Sequence, residues 1–248
     1  KVLPHQDGPG EGKLCIKGWS AHEFVHHPDR LKTPLIREEH GFREATWEEA
    51  LEKVSNELRE ARDNHGSDSL AFLSSAKATN EENYLMQKLA RATVGTNNID
   101  HCARLCHAST VTGLISSFGS GAMTNSQEDI EEADVIFVIG SNTSEQHPLI
   151  SRRMISATKK GTKIIVADPR EIDLTAHAVL HLKHRPGSDV ALLNGMMSVI
   201  LEEGLQNNDF IDVRTEGFQE FRKWVEGYSP ERIERITGVP MKEIQEAA

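Results

Sequence analysis

Between Asn97 and His107 the chain sets two thiols, two imidazoles, a carboxylate and a guanidinium within eleven residues: Asn97-Asn98-Ile99-Asp100-His101-Cys102-Ala103-Arg104-Leu105-Cys106-His107. The whole sequence holds only three cysteines, so this density of soft and titratable groups points to metal-centred or thiolate-centred chemistry. Four arrangements are open. His101, Cys102, Cys106 and His107 could share a zinc ion, although their spacing matches no common zinc pattern. Cys102 and Cys106 could form a redox pair, although such pairs usually have two residues between them. One cysteine could act alone as a soft ligand or nucleophile, with His107 carrying a proton and Arg104 lowering the thiol pKa. Both cysteines could instead be buried structural side chains, as free cysteine often is.

Other candidates are sparser. Leu14-Cys15-Ile16-Lys17-Gly18 places a third thiol beside a lysine, and His22 and His26 form an i, i+4 pair. Gly140-Ser141-Asn142-Thr143, with Ser144 and Glu145 behind it, follows an apolar run, as does Asp168-Pro169-Arg170. In parallel sheets, ligands sit beyond the carboxyl ends of strands, where helix N-termini offer N–H groups to phosphates. Asn142, Ser144 and Glu145 can hydrogen-bond a sugar or base. Gly187-Ser188-Asp189 repeats the arrangement, with Asp189 able to accept from a guanine or ribose. No Gly-x-Gly-x-x-Gly fingerprint accompanies these turns, so an NAD site is poorly supported. Ordinary turns and a plain N-cap at Ser188 would look the same.

The elements that must hold these residues are readable from periodicity. Thr46 and Glu49 predict a capping box for a helix that Gly66 ends. Leu70–Ser74 reads as a short buried strand. Thr79 and Glu82 predict a second capping box and a helix to about Thr93, stopped at Gly95. Val135–Ile139, Lys163–Ala167 and Val179–Leu182 are apolar strands, with a Pro148 helix to about Lys160 after the first and a Ser188-capped helix to about Glu203 after the third. Short helices are predicted over 217–226, 230–236 and 240–247. Strands alternating with amphipathic helices predict an α/β fold: a Rossmann-like parallel sheet with helices on both faces. Residues 1–45 read as loops with short strands, and the last helix runs into Ala247-Ala248 without a stop signal.

At 248 residues, with 38% hydrophobic and 27% charged content, the chain has material for a sizeable globular core. Its formal net charge of −10 argues against non-specific binding to nucleic acid or to an anionic membrane. No apolar run is long enough to span a bilayer, and no secretory signal is visible at Lys1, so a cytoplasmic location is expected. An odd cysteine count argues against a disulfide framework.

Taken together, the ordered motifs resemble those of the catalytic subunit of molybdopterin-dependent formate dehydrogenases, within the dimethyl sulfoxide reductase superfamily. They are Leu14-Cys15-Ile16-Lys17-Gly18, Arg30-Leu31-Lys32-Thr33-Pro34-Leu35, Gly95 to Asp100, Cys102 to His107, Gly119 to Asn125, Ala167 to Arg170, and Arg214 to Phe218. The resemblance implies the molybdopterin oxidoreductase fold and a Mo- or W-bis(molybdopterin guanine dinucleotide) cofactor. It implies that Cys106 ligates the metal and that the adjacent His107 takes part in proton transfer. Cys15 falls on the last cysteine of an N-terminal 4Fe–4S site, and Lys17 on the lysine between cluster and pterin. Asn142, Glu145, Asp168, Arg170, Gly187 and Asp189 fall in segments that hold one dinucleotide, and Arg104 adds positive charge beside the metal ligand. The implied reaction is oxidation of formate to carbon dioxide or its reverse, with electrons leaving to other subunits.

The pattern is incomplete here. A 4Fe–4S cluster needs four thiolates, and the family's other N-terminal cysteines, its second dinucleotide site and its formate-positioning arginine have no counterpart in these residues. The chain is therefore expected to be an internal piece. Residues 1–45 would be a remnant of an iron–sulfur domain and linker, and 46–248 an α/β region incomplete at its C-terminus, inactive alone. The alternatives are another molybdopterin oxidoreductase (formylmethanofuran dehydrogenase or nitrate reductase), a non-catalytic scaffold, or an unrelated nucleotide-binding module.

Overall fold

The computed structural model describes residues 2–7 and 12–248. They form two compact units: the described residues up to Ser20 together with Asn125–Ala248, and Ala21–Thr124. The division expected at residue 45 falls inside the second unit.

The second unit begins with an antiparallel hairpin, β1 (Leu35–Glu38) and β2 (Gly41–Glu44), paired from Leu35↔Glu44 to Glu38↔Gly41. A helix over Trp47–His65 follows. Thr46 caps it by accepting from the Glu49 amide at 3.2 Å. The predicted capping box is only half formed, because the Glu49 carboxylate turns to Arg43 instead. The box at Thr79 is complete: the Glu82 amide donates to Thr79 Oγ1 (3.2 Å) and the Thr79 amide to Glu82 Oε2 (2.7 Å). The helix it opens, Asn80–Lys88, widens into a π-helical turn over Leu89–Val94 and stops at Gly95. β3 (Phe72–Ser74) and β4 (Ile99–His101) pair in parallel. Phe72, Ala90 and Val94 close a small core beside them. Helices over Ala21–Val25, Ala103–Cys106 and Ala108–Phe118 complete this unit; none has a strong start signal in the sequence.

In the first unit, β5 (Val135–Ile139), β6 (Lys163–Ala167) and β7 (Leu180–Leu182) form a parallel sheet in the order β5-β6-β7. Side chains alternate across a strand. Ile164 and Val166 therefore face one way, into a cluster with Val138, Ile172 and Leu174. Ile165 and Ala167 face the other way, into a cluster with Leu182, Leu192, Ile233, Val239 and Ile244. The Pro148–Thr158 helix covers the first face. The helices Asp189–Glu202, Pro230–Thr237 and Met241–Ala247 cover the second. The predicted two-sided burial of a parallel sheet is what the structure shows. Gly195 lets the covering helices approach closely, since a Cβ there would lie 2.9 Å from Ile233 Cγ2.

Two further helices depart from the prediction. Ile16–Trp19 lies in a segment read as loop and strand, and Asn208–Arg214 in one for which no element was predicted. Asn207 starts the latter by accepting from the Phe210 amide at 3.0 Å, a cap that the periodicity of seven residues was too short to reveal. Ser188 occupies the N-cap position of Asp189–Glu202, but its hydroxyl donates to the Arg185 carbonyl at 2.6 Å rather than capping the helix.

Ile164, the second residue of β6, is fully buried. Ile164→Ala should lower the unfolding free energy by about 2–5 kcal/mol, read from the midpoint of urea denaturation; a loss well under 1 kcal/mol would show that β6 is not the core of the unit.

Candidate active site

Cys106 ends the short Ala103–Cys106 helix, and His107 stands between it and the Ala108–Phe118 helix. Both side chains are exposed, as is Leu105, at 95%. Backbone bonds shape the turn: the Cys106 amide donates to the Cys102 carbonyl at 3.1 Å, and the His107 amide to that of Ala103 at 3.2 Å. Side chains brace its entry. His101 Nδ1 accepts from the Ala103 amide (2.9 Å), and Cys102 Sγ accepts from the Ala76 amide (3.3 Å). Neither Cys102 nor Cys106 is buried, so the reading of both as core thiols is corrected. Among the described residues, no three His, Cys, Asp or Glu side chains converge as a metal site, which leaves the four-ligand zinc arrangement unassembled.

Arg104 is committed to Asp100: its Nε donates to Asp100 Oδ2 at 2.7 Å. That guanidinium, helped by the His101 amide, holds the Asp100 carboxyl below its usual range. Arg104, His101 and Asp100 line an open pocket of about 270 Å³ with Ser74, Asn83 and Arg91.

In the other unit, the ends of β5, β6 and β7 lead into the turns predicted to bind a nucleotide. Gly140 follows β5 with φ +59°, a left-handed backbone that strains other L-residues. Asn142 Oδ1 is buried and has no hydrogen-bond partner, while Thr143 beside it is buried and shares a 2.9 Å hydroxyl contact with Ser141. Buried polar atoms are nearly always paired, so Asn142 presents an acceptor suited to an external donor. Asp168 is buried beyond β6, and its Oδ1 accepts from the Arg170 amide at 2.8 Å, leaving the Arg170 side chain exposed. Gly187 is exposed in the turn before Asp189. Lys17 Nζ donates to the Glu145 carbonyl at 3.3 Å, which ties this lysine to the turn after β5; the Glu145 side chain is exposed.

Two histidines escaped sequence reasoning. His181 Nε2 lies 2.8 Å from the Asp168 carbonyl, and buried His184 Nε2 lies 3.2 Å from Asp189 Oδ1. A signal was present: His181 interrupts the apolar run of β7, where a buried polar residue requires a partner.

Cys15 precedes the Ile16–Trp19 helix. The Gly18 and Lys17 amides face its sulfur and lower the thiol pKa, burial opposes them, and the Lys17 charge adds a smaller downward pull. Hydrogen bonding from these backbone amides, the Gly18 amide first, is the main cause of the downward shift.

The family profile described as molybdopterin oxidoreductase matches residues 30–229. The chain belongs to this family. It is 53% identical over 238 residues to the alpha subunit of the F420-dependent formate dehydrogenase 1 of Methanococcus maripaludis, covering 96% of this chain and 35% of that protein. It is 44% identical over 250 residues to formate dehydrogenase H of Escherichia coli, covering 98% and 35%. Among solved structures, acetylene hydratase from Pelobacter acetylenicus matches with TM-score 0.74 and 26% identity, over 94% of this chain and 32% of that one. The chain thus spans about a third of the length of these relatives. The α/β architecture is that of a molybdopterin oxidoreductase. Among the described residues, no helix is long and apolar enough to cross a membrane.

The lowered Cys15 thiol pKa favours the thiolate. Iodoacetamide alkylation of Cys15, followed by peptide mass spectrometry across pH, should therefore rise at a lower pH than for an ordinary cysteine. A midpoint at or above the ordinary value of 9.0 would contradict this geometry.

Proposed function

We propose that this chain is the part of a formate dehydrogenase catalytic subunit that supplies the cysteine ligand of a molybdenum or tungsten centre and a seat for one pterin guanine dinucleotide. The observation that carries the reading is Cys106-His107, free and exposed in a chain 53% identical over 96% of its length to a formate dehydrogenase alpha subunit. Fold alone would not decide the reaction, since acetylene hydratase shares it.

The residues present fit such a group. Cys106 offers one soft thiolate, enough to complete the coordination of a metal that brings its other ligands with it. The orphaned Asn142 acceptor, the half-exposed Asp189 carboxylate and the left-handed Gly140 turn fit a nucleotide at the strand ends. Asp168, Arg170, Glu145 and Gly187 line the neighbouring turns. When bound, the cofactor supplies the two-electron redox chemistry between formate and carbon dioxide.

The chain's own part is to ligate, to hold a proton and to set charge. His107 offers an exposed imidazole next to the Cys106 ligand. Arg104, neutralised by Asp100, braces the metal-ligand turn more than it adds free positive charge. Lys17, fixed on the Glu145 carbonyl, keeps a cation beside the nucleotide turn, where it favours the more negative, reduced state of a neighbouring redox group. Cys15 offers one thiolate toward a 4Fe–4S cluster, whose remaining ligands this chain cannot supply, since it has three cysteines in all. In the parent enzyme, other subunits would take up the electrons that the bound cofactor releases.

In the full-length subunit, Cys106→Ser should lower formate-dependent viologen reduction by more than about 100-fold, because even outer partners of a metal ligand are worth about 10–100-fold. The fold should persist by circular dichroism. Undiminished dye reduction would overturn the assignment. Lys17→Ala in the same subunit should slow electron delivery to a cluster-linked acceptor while metal content stays at the wild-type level; wild-type rates with that acceptor would remove Lys17 from the path.

A further inference from the structure

We propose that His184 is a positioning residue: it aims the Asp189 carboxylate at the guanine edge of the nucleotide and so sets the preference for guanine over a purine without the 2-amino group. The proposal rests on the reading of the strand-end turns as a guanine dinucleotide seat. His184 lies two residues past β7 and is only 2% exposed. Its Nε2 is 3.2 Å from Asp189 Oδ1. An ionised carboxylate only accepts, so Nε2 carries the proton. Its Nδ1 faces the Leu182 carbonyl at 3.4 Å, too long for a firm second bond.

The same Asp189 Oδ1 lies 4.0 Å from where a side chain on Gly140 would begin. One carboxylate oxygen thus lies near the end of β5 and is anchored from the protein side by a buried ring. The Asp189 side chain is still 46% exposed, which leaves the carboxylate accessible to a ligand. Asn142, with its unpartnered buried oxygen, stands two residues beyond Gly140 and adds an acceptor to the same strand end.

A carboxylate fixed in this way matches the paired N1–H and 2-amino donors of guanine. Hypoxanthine offers only the N1–H, and adenine presents an acceptor at N1. Polar sites discriminate strongly only when their partners are held in place. Without His184, Asp189 at the start of its helix would be free to change rotamer, and the paired contact would be lost more often than a single one.

Titration calorimetry of GMP and IMP with the 248-residue chain, its His184→Leu variant and its His184→Gln variant tests this. Leucine keeps the buried volume and removes the donor; glutamine keeps a donor of similar reach. His184→Leu should weaken GMP binding by about tenfold and IMP binding by less, collapsing the GMP/IMP ratio. His184→Gln should restore that ratio. A leucine variant that keeps the wild-type ratio, or loses both ligands equally, overturns the positioning role. Wild-type chain that binds GMP no better than AMP overturns the guanine seat itself, a distinct failure. Should the leucine variant not fold, the wild-type protein still decides. The His184 ring nitrogens, followed in long-range ¹H–¹⁵N spectra, should show an Nε2–H that shifts on GMP addition, and an unshifted signal refutes the proposal.

Discussion

Burial of β6 on both faces is the constraint on which the unit built around β5, β6 and β7 depends. Ile164 and Val166 are sealed against one layer and Ile165 and Ala167 against another. With no face left for water, the strand must be flanked by helices on both sides, and a parallel partner on each edge satisfies its backbone. Parallel pairing then brings the ends of β5, β6 and β7 to the same edge of the sheet. Gly140, Asp168 and the His184 segment share a rim because the core allows no other registry.

At that rim the energetics reverse. Instead of apolar side chains seeking cover, the turns present polar atoms that the protein itself only partly satisfies. His181 and His184 each hold part of an acidic turn, one through the Asp168 carbonyl and one through the Asp189 carboxylate, whereas Asn142 keeps a buried oxygen without a partner. A buried unpaired acceptor costs stability. That cost falls at a strand end, where ligands of parallel sheets commonly sit.

The turn that carries Cys106 and His107 is organised differently. Cys106, His107 and Leu105 are exposed, and little apolar burial holds them. Hydrogen bonds define the turn: two local ones, Arg104 to Asp100 and the Ala103 amide to His101, and one from across the unit, the Ala76 amide to Cys102. Cys102 thus links the turn after β3 to the loop after β4, whereas Cys106 is a free, exposed thiol. Arg104, read from the sequence as a charge that tunes a thiol, serves as half of an ion pair.

Much was legible in the chain before any coordinates. The three apolar runs became β5, β6 and β7 because alternating strands and amphipathic helices have few ways to bury both faces of a sheet. The Thr79–Glu82 box formed as read, since both of its bonds are local. The ordered motifs around Cys106 were enough to indicate the family, because ligand chemistry is written in residue types and spacing. Competition among nearby partners decided some of the rest. Arg43 drew Glu49 away from the Thr46 cap, and Ser188 turned to Arg185. The three- and four-residue elements β4 and Ala103–Cys106 were too short to carry a period. Above all, the pairing of His184 with Asp189 over Gly140 joins residues whose relation depends on where β5 and β7 end. Sequence determines which groups are available and which segments bury; only packing determines which distant polar atoms meet, because that depends on strand register and helix placement rather than on local pattern.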